Sequence, residues 1–251
     1  MRRVWTIFGL GLVLGPILIL ISELVVVAFS AFLLLIYFVM NPISTQELLI
    51  ILNQISNINE VNGAQELLIG YLSNPWIIGA IMVFVSGIVP MVEEFLKPAG
   101  TWLAVSKNTS PREGFVMGVL SGTGYALFET LGAVGPLGDG WPMILLGRAG
   151  TDLLHIFTTG MVGWAMISDW KLKGWLKLVS VYLIAIIIHG LWNGMALSLG
   201  MRNFFVSIVN NYWMKSLGLG AAIGLAFLAL FLIMGLWKMN YKFRYASIDK
   251  K

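Results

Sequence analysis

Cysteine is absent, which removes disulfide frameworks, thiolate catalysis and cysteine-ligated zinc and leaves oxygen, water or nitrogen as the nucleophile. Charge is scarce as well, at 11% of residues against 58% hydrophobic. Several apolar stretches reach the roughly 20 residues that a bilayer demands, so a soluble core does not account for this composition. The net charge is only +4, and the basic residues sit mainly in short connections and at the termini, where they orient spans rather than bind nucleic acid. No soluble domain, internal repeat or low-complexity tract is visible. The HExxH pattern of many zinc proteases is also missing.

What is present is a succession of apolar segments that predicts an all-α, polytopic bundle of about six or seven membrane spans, forming one integral membrane domain over residues 1–251. Arg2 and Arg3 precede a block from Val4 to Met40 that reads as one or two helices. It runs well past the usual length of a signal-peptide core, so a retained span is expected. Residues 41–75 carry Glu47, Glu60 and Glu66 without any lysine or arginine, and read as an extracytoplasmic loop with short interfacial helices. Five crossings follow, at about Trp76–Val105, Phe115–Val134, Met143–Ile167, Leu178–Leu199 and Ser216–Trp237. The lysine- and arginine-bearing connections around Lys107, Arg112, Lys171, Lys173 and Lys177, and the tail from Lys238, predict a cytoplasmic C-terminus.

Parity leaves the first block in conflict. A hairpin turning at Ser22 and Glu23 puts Arg2 and Arg3 outside, against the positive-inside rule. A single crossing gives 37 residues, Val4 to Met40, to a bilayer that needs about half as many. The hairpin is the expectation. In the later spans, Gly114, Gly118 and Gly122, and Gly220 and Gly224, recur at four-residue spacing and permit close helix approach.

The informative residues are the polar ones inside the spans, because an acidic group at the middle of a membrane helix costs about 2.5–3.5 kcal/mol and usually faces a polar cavity. Glu93 and Glu94 stand together in an apolar run, and the two histidines, His155 and His189, fall near the centres of other runs. Tyr125 and Glu129, Arg148 and Asp152, and His189 and Asn193 are each spaced i, i+4 and so share a helix face, which His155 extends for the Arg148 face. Four helices thus present polar faces at similar depth. Each feature also has a structural explanation: Lys97 as the partner of one carboxylate, Arg148 with Asp152 as an ion pair at a helix end, and a histidine as an interhelical contact. Adjacent carboxylates point about 100° apart, so Lys97 is not expected to neutralise both.

EEFLK at 93–97, YALFE at 125–129, RAGTDLLHIFTTG at 148–160 and HGLWN at 189–193 resemble, in this order, the PrsW family of intramembrane proteases over roughly residues 76–199. The broader superfamily includes CAAX prenyl endopeptidases and bacteriocin-immunity-type membrane proteins, with EExxxR, FxxxH and HxxxN patterns. This chain has Lys97 where an arginine stands one position later there, and Glu129 in place of a histidine, which points to the PrsW branch. Tyr125 replaces the usual phenylalanine. The resemblance implies peptide-bond hydrolysis in or beside the membrane; in the family's best-known role the substrate is a membrane-bound anti-sigma factor.

For such chemistry the expected catalytic set is Glu93, Glu94, Glu129, His155, His189 and Asn193, supported by Lys97, Arg148 and Asp152. Glu93, helped by Glu94 or His155, serves as general base toward water; His189 and Asn193 donate to the oxyanion; Glu129 orients a histidine or shares a proton. No cofactor is expected, although zinc on Glu93, Glu129, His155 and His189 is an alternative. The partners expected are a membrane protein or peptide substrate and the lipid bilayer, with no nucleic acid. The rival functions are an ion- or proton-coupled transporter and a non-catalytic scaffold with a protease-like frame.

Overall fold

In hydrocarbon every backbone polar group must be paired within its own segment, which confines apolar runs of this length to helices. The computed structural model of the chain describes residues 2–56, 69–70, 74–134, 141–172, 175–209 and 212–245, and no strand occurs among them. The helices are α1 (Arg2–Gly9), α2 (Gly15–Met40), α3 (Pro42–Ser56), α4 (Pro75–Val83), α5 (Val89–Leu96), α6 (Ala99–Ala104), α7 (Pro111–Val134), α8 (Trp141–Leu172), α9 (Leu176–Val209) and α10 (Tyr212–Tyr245). A π-helical turn at Leu10–Leu14 joins α1 to α2, and another at Phe84–Ile88 joins α4 to α5. Six long rods result, and the chain is an all-α membrane helical bundle.

The N-terminal block is a single rod, and the hairpin expected at Ser22 and Glu23 does not form: α2 passes unbroken through both residues. The Ser22 hydroxyl donates to the Leu18 carbonyl at 2.8 Å, so the serine is satisfied within the helix and gives the backbone no reason to turn. This also removes the parity conflict. Arg3 Nη2 donates to the Ala104 carbonyl at 2.8 Å, which puts the N-terminus at the same end of the bundle as the loop bearing Lys107. Phe115 at the start of α7 meets Phe243 near the end of α10 with ring centroids 5.5 Å apart, and the ammonium groups of Lys177 and Lys242 lie 5.3 and 5.7 Å from the Trp164 ring. One end of the bundle therefore gathers Arg3, Lys107, Lys177 and Lys242, while Arg202 lies at the other, against Gly218. Beyond Met40 the chain continues as α3; residues 57–68 and 71–73, with Glu60 and Glu66, and the connection at 135–140 lie outside the described residues.

Among the described residues, four rods are long and apolar enough to cross a membrane: Arg2–Met40, Pro75–Ala104, Leu176–Arg202 and Ser216–Arg244. The other two, α7 and α8, have the length but carry the polar residues, and they can because each is packed against the other along its length. Their contact is made by small residues: a Cβ at Gly118 would overlap the Thr159 carbonyl oxygen, one at Gly122 would lie 2.7 Å from the His155 carbonyl oxygen, and one at Gly163 would overlap the Gly114 carbonyl. Gly11 and Gly124 bring the first rod equally close, the former against the Ser121 backbone and the latter against Phe8 and Leu12. In α10, Gly224 meets the Met195 side chain while Gly220 faces open space, so only one of that pair serves packing. Leu154, Phe157, Trp192 and Leu232 form the apolar cluster between α8, α9 and α10, with Trp192 Nε1 donating to Thr151 Oγ1 at 3.0 Å.

Candidate active site

The rod carrying Glu93 and Glu94 is irregular just before them, and the sequence explains why. In the π turn, Val89 N donates to the Phe84 carbonyl five residues back. The next donor in that register, Pro90, has no N–H to offer Val85. Asn193 Nδ2 donates to the Val85 carbonyl instead, at 3.0 Å. One turn earlier on α9, a Cβ at position 190 would overlap the Ser86 carbonyl oxygen, so glycine is the residue that lets the two backbones meet. HGLWN thus docks α9 on the broken rod and brings His189 alongside Glu93 and Glu94. At the other end of α5, Pro98 stops the helix, and the Lys97 carbonyl accepts from Ser121 Oγ at 2.6 Å.

Lys97 closes the arrangement. Its Nζ lies 2.8 Å from Glu93 Oε2, 3.0 Å from Glu94 Oε1 and 2.7 Å from His155 Nδ1. Glu94, Lys97, His155 and His189 are at most 1% exposed, and Glu93 is 7% exposed. The expectation that Lys97 cannot serve both carboxylates is therefore overturned: from the end of α5 its long stem reaches back three and four residues, and the ammonium sits between the two diverging carboxylates. The Tyr125 ring lies 4.8 Å from this ammonium and edge-on to His155, at 5.1 Å.

The imidazole roles follow from the partners. His155 Nε2 lies 2.7 Å from Glu129 Oε2 and must donate, leaving Nδ1 to accept from Lys97. His189 Nδ1 lies 2.8 Å from Glu94 Oε1 and donates there, so its longer 3.4 Å approach to Lys97 is not a hydrogen bond. Its Nε2 is directed toward Glu93 Oε2 at 3.7 Å. Behind His155, Glu129 is held by Arg148, with Nη1 donating to Oε1 at 3.0 Å and Nη2 lying 2.9 Å from Oε2. Asp152 accepts from Thr130 Oγ1 at 2.8 Å and stands 3.5 Å from Arg148. The chain of contacts runs from Arg148 through Glu129, His155 and Lys97 to Glu93 and Glu94.

The structure thus brings Glu93, Glu94, Lys97, His155 and His189 into one cluster, with Glu129, Arg148 and Asp152 adjoining it. Asn193 lies beside the cluster, but its amide is engaged by a backbone carbonyl. Sequence reasoning missed Glu23, which was assigned to a turn. In the unbroken α2 it stands where the charges of Glu93 and Glu129 repel it and that of Lys97 attracts it. Its signal was there to be used, since a carboxylate inside an apolar run asks for a polar neighbour.

The donor set also fits a metal ion. Glu93, His155 and His189 each offer one ligand atom, all within 4.8 Å of one another, and nitrogen and oxygen donors of this kind suit zinc. Glu129 and Glu94 hold the far nitrogens of the two imidazoles, as carboxylates commonly do behind metal-binding histidines. Glu94 Oε2 is buried without a hydrogen-bond partner, Glu93 Oε2 pairs with Lys97 at 2.8 Å, and Glu93, Glu94, Glu129 and Asp152 together outnumber Lys97 and Arg148. Glu129 is on the far side of His155 from this donor set and does not join it.

A family model described as PrsW family intramembrane metalloprotease matches residues 3–234. The match takes in the N-terminal rod and most of α10, well beyond the segment 76–199 that carries the motifs. No curated protein and no solved structure matches the chain.

Proposed function

From membership of the PrsW family, to which this chain belongs, and hence from its nature as a multi-pass membrane protease, we propose that it hydrolyses a peptide bond of a membrane-associated protein by glutamate-activated water. The observation that carries this reading is the buried convergence of two carboxylates and two imidazoles around one ammonium group. Glu93 is the least buried residue of the cluster, and its Oε2, paired with Lys97 at 2.8 Å, keeps a second lone pair. It takes one proton from the attacking water as the hydroxyl oxygen bonds to the substrate carbonyl carbon. The Lys97 ammonium, its three N–H donors held by Glu93, Glu94 and His155, acts on the negative charge that grows on the carbonyl oxygen through its field, which the low-dielectric surroundings strengthen. Glu93 then returns the proton to the departing amine as the C–N bond breaks. Glu94 fixes His189, and the Arg148–Glu129 pair fixes His155 with its Nδ1 toward Lys97. Asn193 gives one of its two amide N–H groups to Val85, and the other remains for the oxyanion role.

A second reading is favoured by the mutual closeness of three ligand atoms and by the family description. In it Glu93, His155 and His189 hold a divalent metal, which when bound polarises the scissile carbonyl and acidifies water. Lys97 then gives up His155 Nδ1, and Glu94 keeps His189 Nδ1 occupied so that Nε2 faces the ligand set. The absence of HExxH does not bear against this, since three helices supply what that motif places on one.

Both readings are tested on purified protein in detergent with a peptide library. Glu93→Gln should abolish cleavage while the thermal unfolding profile stays cooperative; a folded, fully active variant would remove Glu93 from the chemistry. Activity that survives exhaustive chelation, with no metal found by elemental analysis, supports the glutamate reading; stoichiometric zinc that restores lost activity supports the metal one. We place the basic end of the bundle, with Arg3, Lys107, Lys177 and Lys242, in the cytoplasm by the positive-inside rule. A reporter fused to the C-terminus should read as cytoplasmic, and an external signal would reverse that orientation.

A further inference from the structure

Away from the catalytic cluster, at the basic end of the bundle, one indole carries two cations. The Lys177 ammonium, from the start of α9, lies 5.3 Å from the Trp164 ring centroid, and the Lys242 ammonium, from the last turn of α10, lies 5.7 Å from it. The electron-rich ring attracts each ammonium, but it has no net charge, and two like charges drawn to one ring repel each other. Among the described residues, no carboxylate pairs with either lysine. The sequence does not balance them either: segments 168–178 and 238–245 hold six basic residues against one acid, Asp169. Trp175, Trp237 and Tyr241 stand exposed around this level, as aromatic side chains do among lipid headgroups.

Inward from the cation pair, the same faces of the same three helices turn apolar. Val181, Ile184 and Ile188 follow Lys177 at i+4, i+7 and i+11 on α9; Met161 and Phe157 precede Trp164 by three and seven residues on α8; Phe231 precedes Lys242 by eleven on α10. These side chains line one wholly apolar groove of about 170 Å³. The hydroxyl of Thr158, which also borders it, is turned to the Leu154 carbonyl at 3.0 Å. At 1.5 Å of rise per residue, the groove begins about 5 Å inward of the lysines and reaches about 16 Å. Ile184 and Phe231 are about half exposed, so its mouth opens to the hydrocarbon.

This surface is complementary, along its length, to an anion with an acyl chain beneath it. A free anion would use only its upper part, and a zwitterionic headgroup brings an ammonium of its own against the lysines. We propose that α8, α9 and α10 together bind an anionic phospholipid of the leaflet at the basic end, its phosphate held by Lys177 and Lys242 and one acyl chain lying along the groove. The site is separate from the proteolytic reading, although α8 and α9 also carry His155 and His189.

The test is the apparent Kd, from native mass spectrometry of the full-length protein in detergent, for dioleoyl phosphatidylglycerol and dioleoyl phosphatidylcholine. Lys177→Gln/Lys242→Gln should weaken binding of the anionic lipid about thirtyfold, since each lysine near an anionic headgroup contributes a factor of about five, and should leave the zwitterionic lipid within about twofold. Lys107→Gln/Arg112→Gln removes two charges from the same end of the bundle and should change neither Kd by more than about twofold. Ile184→Trp fills the groove and spares the lysines; it should weaken the anionic lipid about tenfold, the worth of about two buried methylene groups. Glycerol phosphate at the lipid's concentration should displace nothing. Equal Kd values for the two lipids, or equal losses in the two charge variants as general attraction to a basic surface would give, overturn the site. Displacement by glycerol phosphate, or an unchanged Kd in Ile184→Trp, makes it a site for a soluble anion and overturns the lipid assignment. None of these outcomes depends on peptide cleavage.

Discussion

Replacing Lys97 by methionine preserves the length of the stem and deletes only the ammonium, which makes it the sharpest probe of the cluster. The lost group lies within 3.0 Å of Glu93, Glu94 and His155, and Lys97 and Glu94 are both fully buried. Bulk water cannot take over these contacts. Removing one partner of a buried ion pair costs about 3–5 kcal/mol, mostly as the penalty on the charge left behind. Here two carboxylates lose the same cation, but one can take up a proton and so limit the second loss. We therefore expect Lys97→Met to destabilise the protein by about 4 kcal/mol, read from reversible SDS titration in mixed micelles. The double variant Glu93→Gln/Lys97→Met should recover about 1–2 kcal/mol of that loss, because it removes one stranded charge. Stability within about 1 kcal/mol of wild type would mean that the ammonium is solvated and contributes as a surface charge does, which would refute the burial argument. The same variant bears on the metal reading: with Nζ gone from His155 Nδ1, added zinc should restabilise it if Glu93, His155 and His189 form a metal site, and should do nothing if they do not.

The close backbone contacts give further outcomes. Gly190→Ala would place a methyl group against the Ser86 carbonyl, so α9 must back away, carrying His189 with it. Cleavage should fall by at least about tenfold while stability falls by about 1–3 kcal/mol, and an unimpaired rate would show that the site tolerates a shifted α9. Gly11→Val would drive a side chain into the Ser121 backbone and loosen the N-terminal rod from α7. A loss of about 1–3 kcal/mol in the same titration is expected, with no change if the rod is detached in the membrane.

Much of this site was legible because the membrane makes polarity conspicuous. Glu93, Glu94, Glu129, His155 and His189 stand out in apolar runs, and a uniform helical rise converts their positions into depth. What the pattern does not encode is how one rod meets another. Lys97 was judged by the angle between two helix positions, whereas the reach of its stem beyond the end of α5 decides which carboxylates it touches. Asn193 reads from the sequence as a donor to substrate, and what the sequence does not show is that Pro90 in a different helix leaves Val85 without a partner and draws one of the two amide N–H groups there.

Glu23 shows the limit most clearly. With Ser22 it forms a polar pair in the middle of an apolar block, and local reasoning makes such a pair a turn. A turn in hydrocarbon would strand several backbone groups, each costing several kcal/mol, whereas a helix satisfies them and leaves a single carboxylate to accommodate. The Ser22 hydroxyl is absorbed by Leu18, and the first rod packs against the helix that carries Lys97 at its end, whose charge offsets part of the cost of Glu23 beside Glu93 and Glu129. The membrane thus forces a choice that a soluble protein escapes. A charged residue that its own helix does not satisfy must find its partners across the bundle, so the rods that carry such residues are the ones that meet around the site.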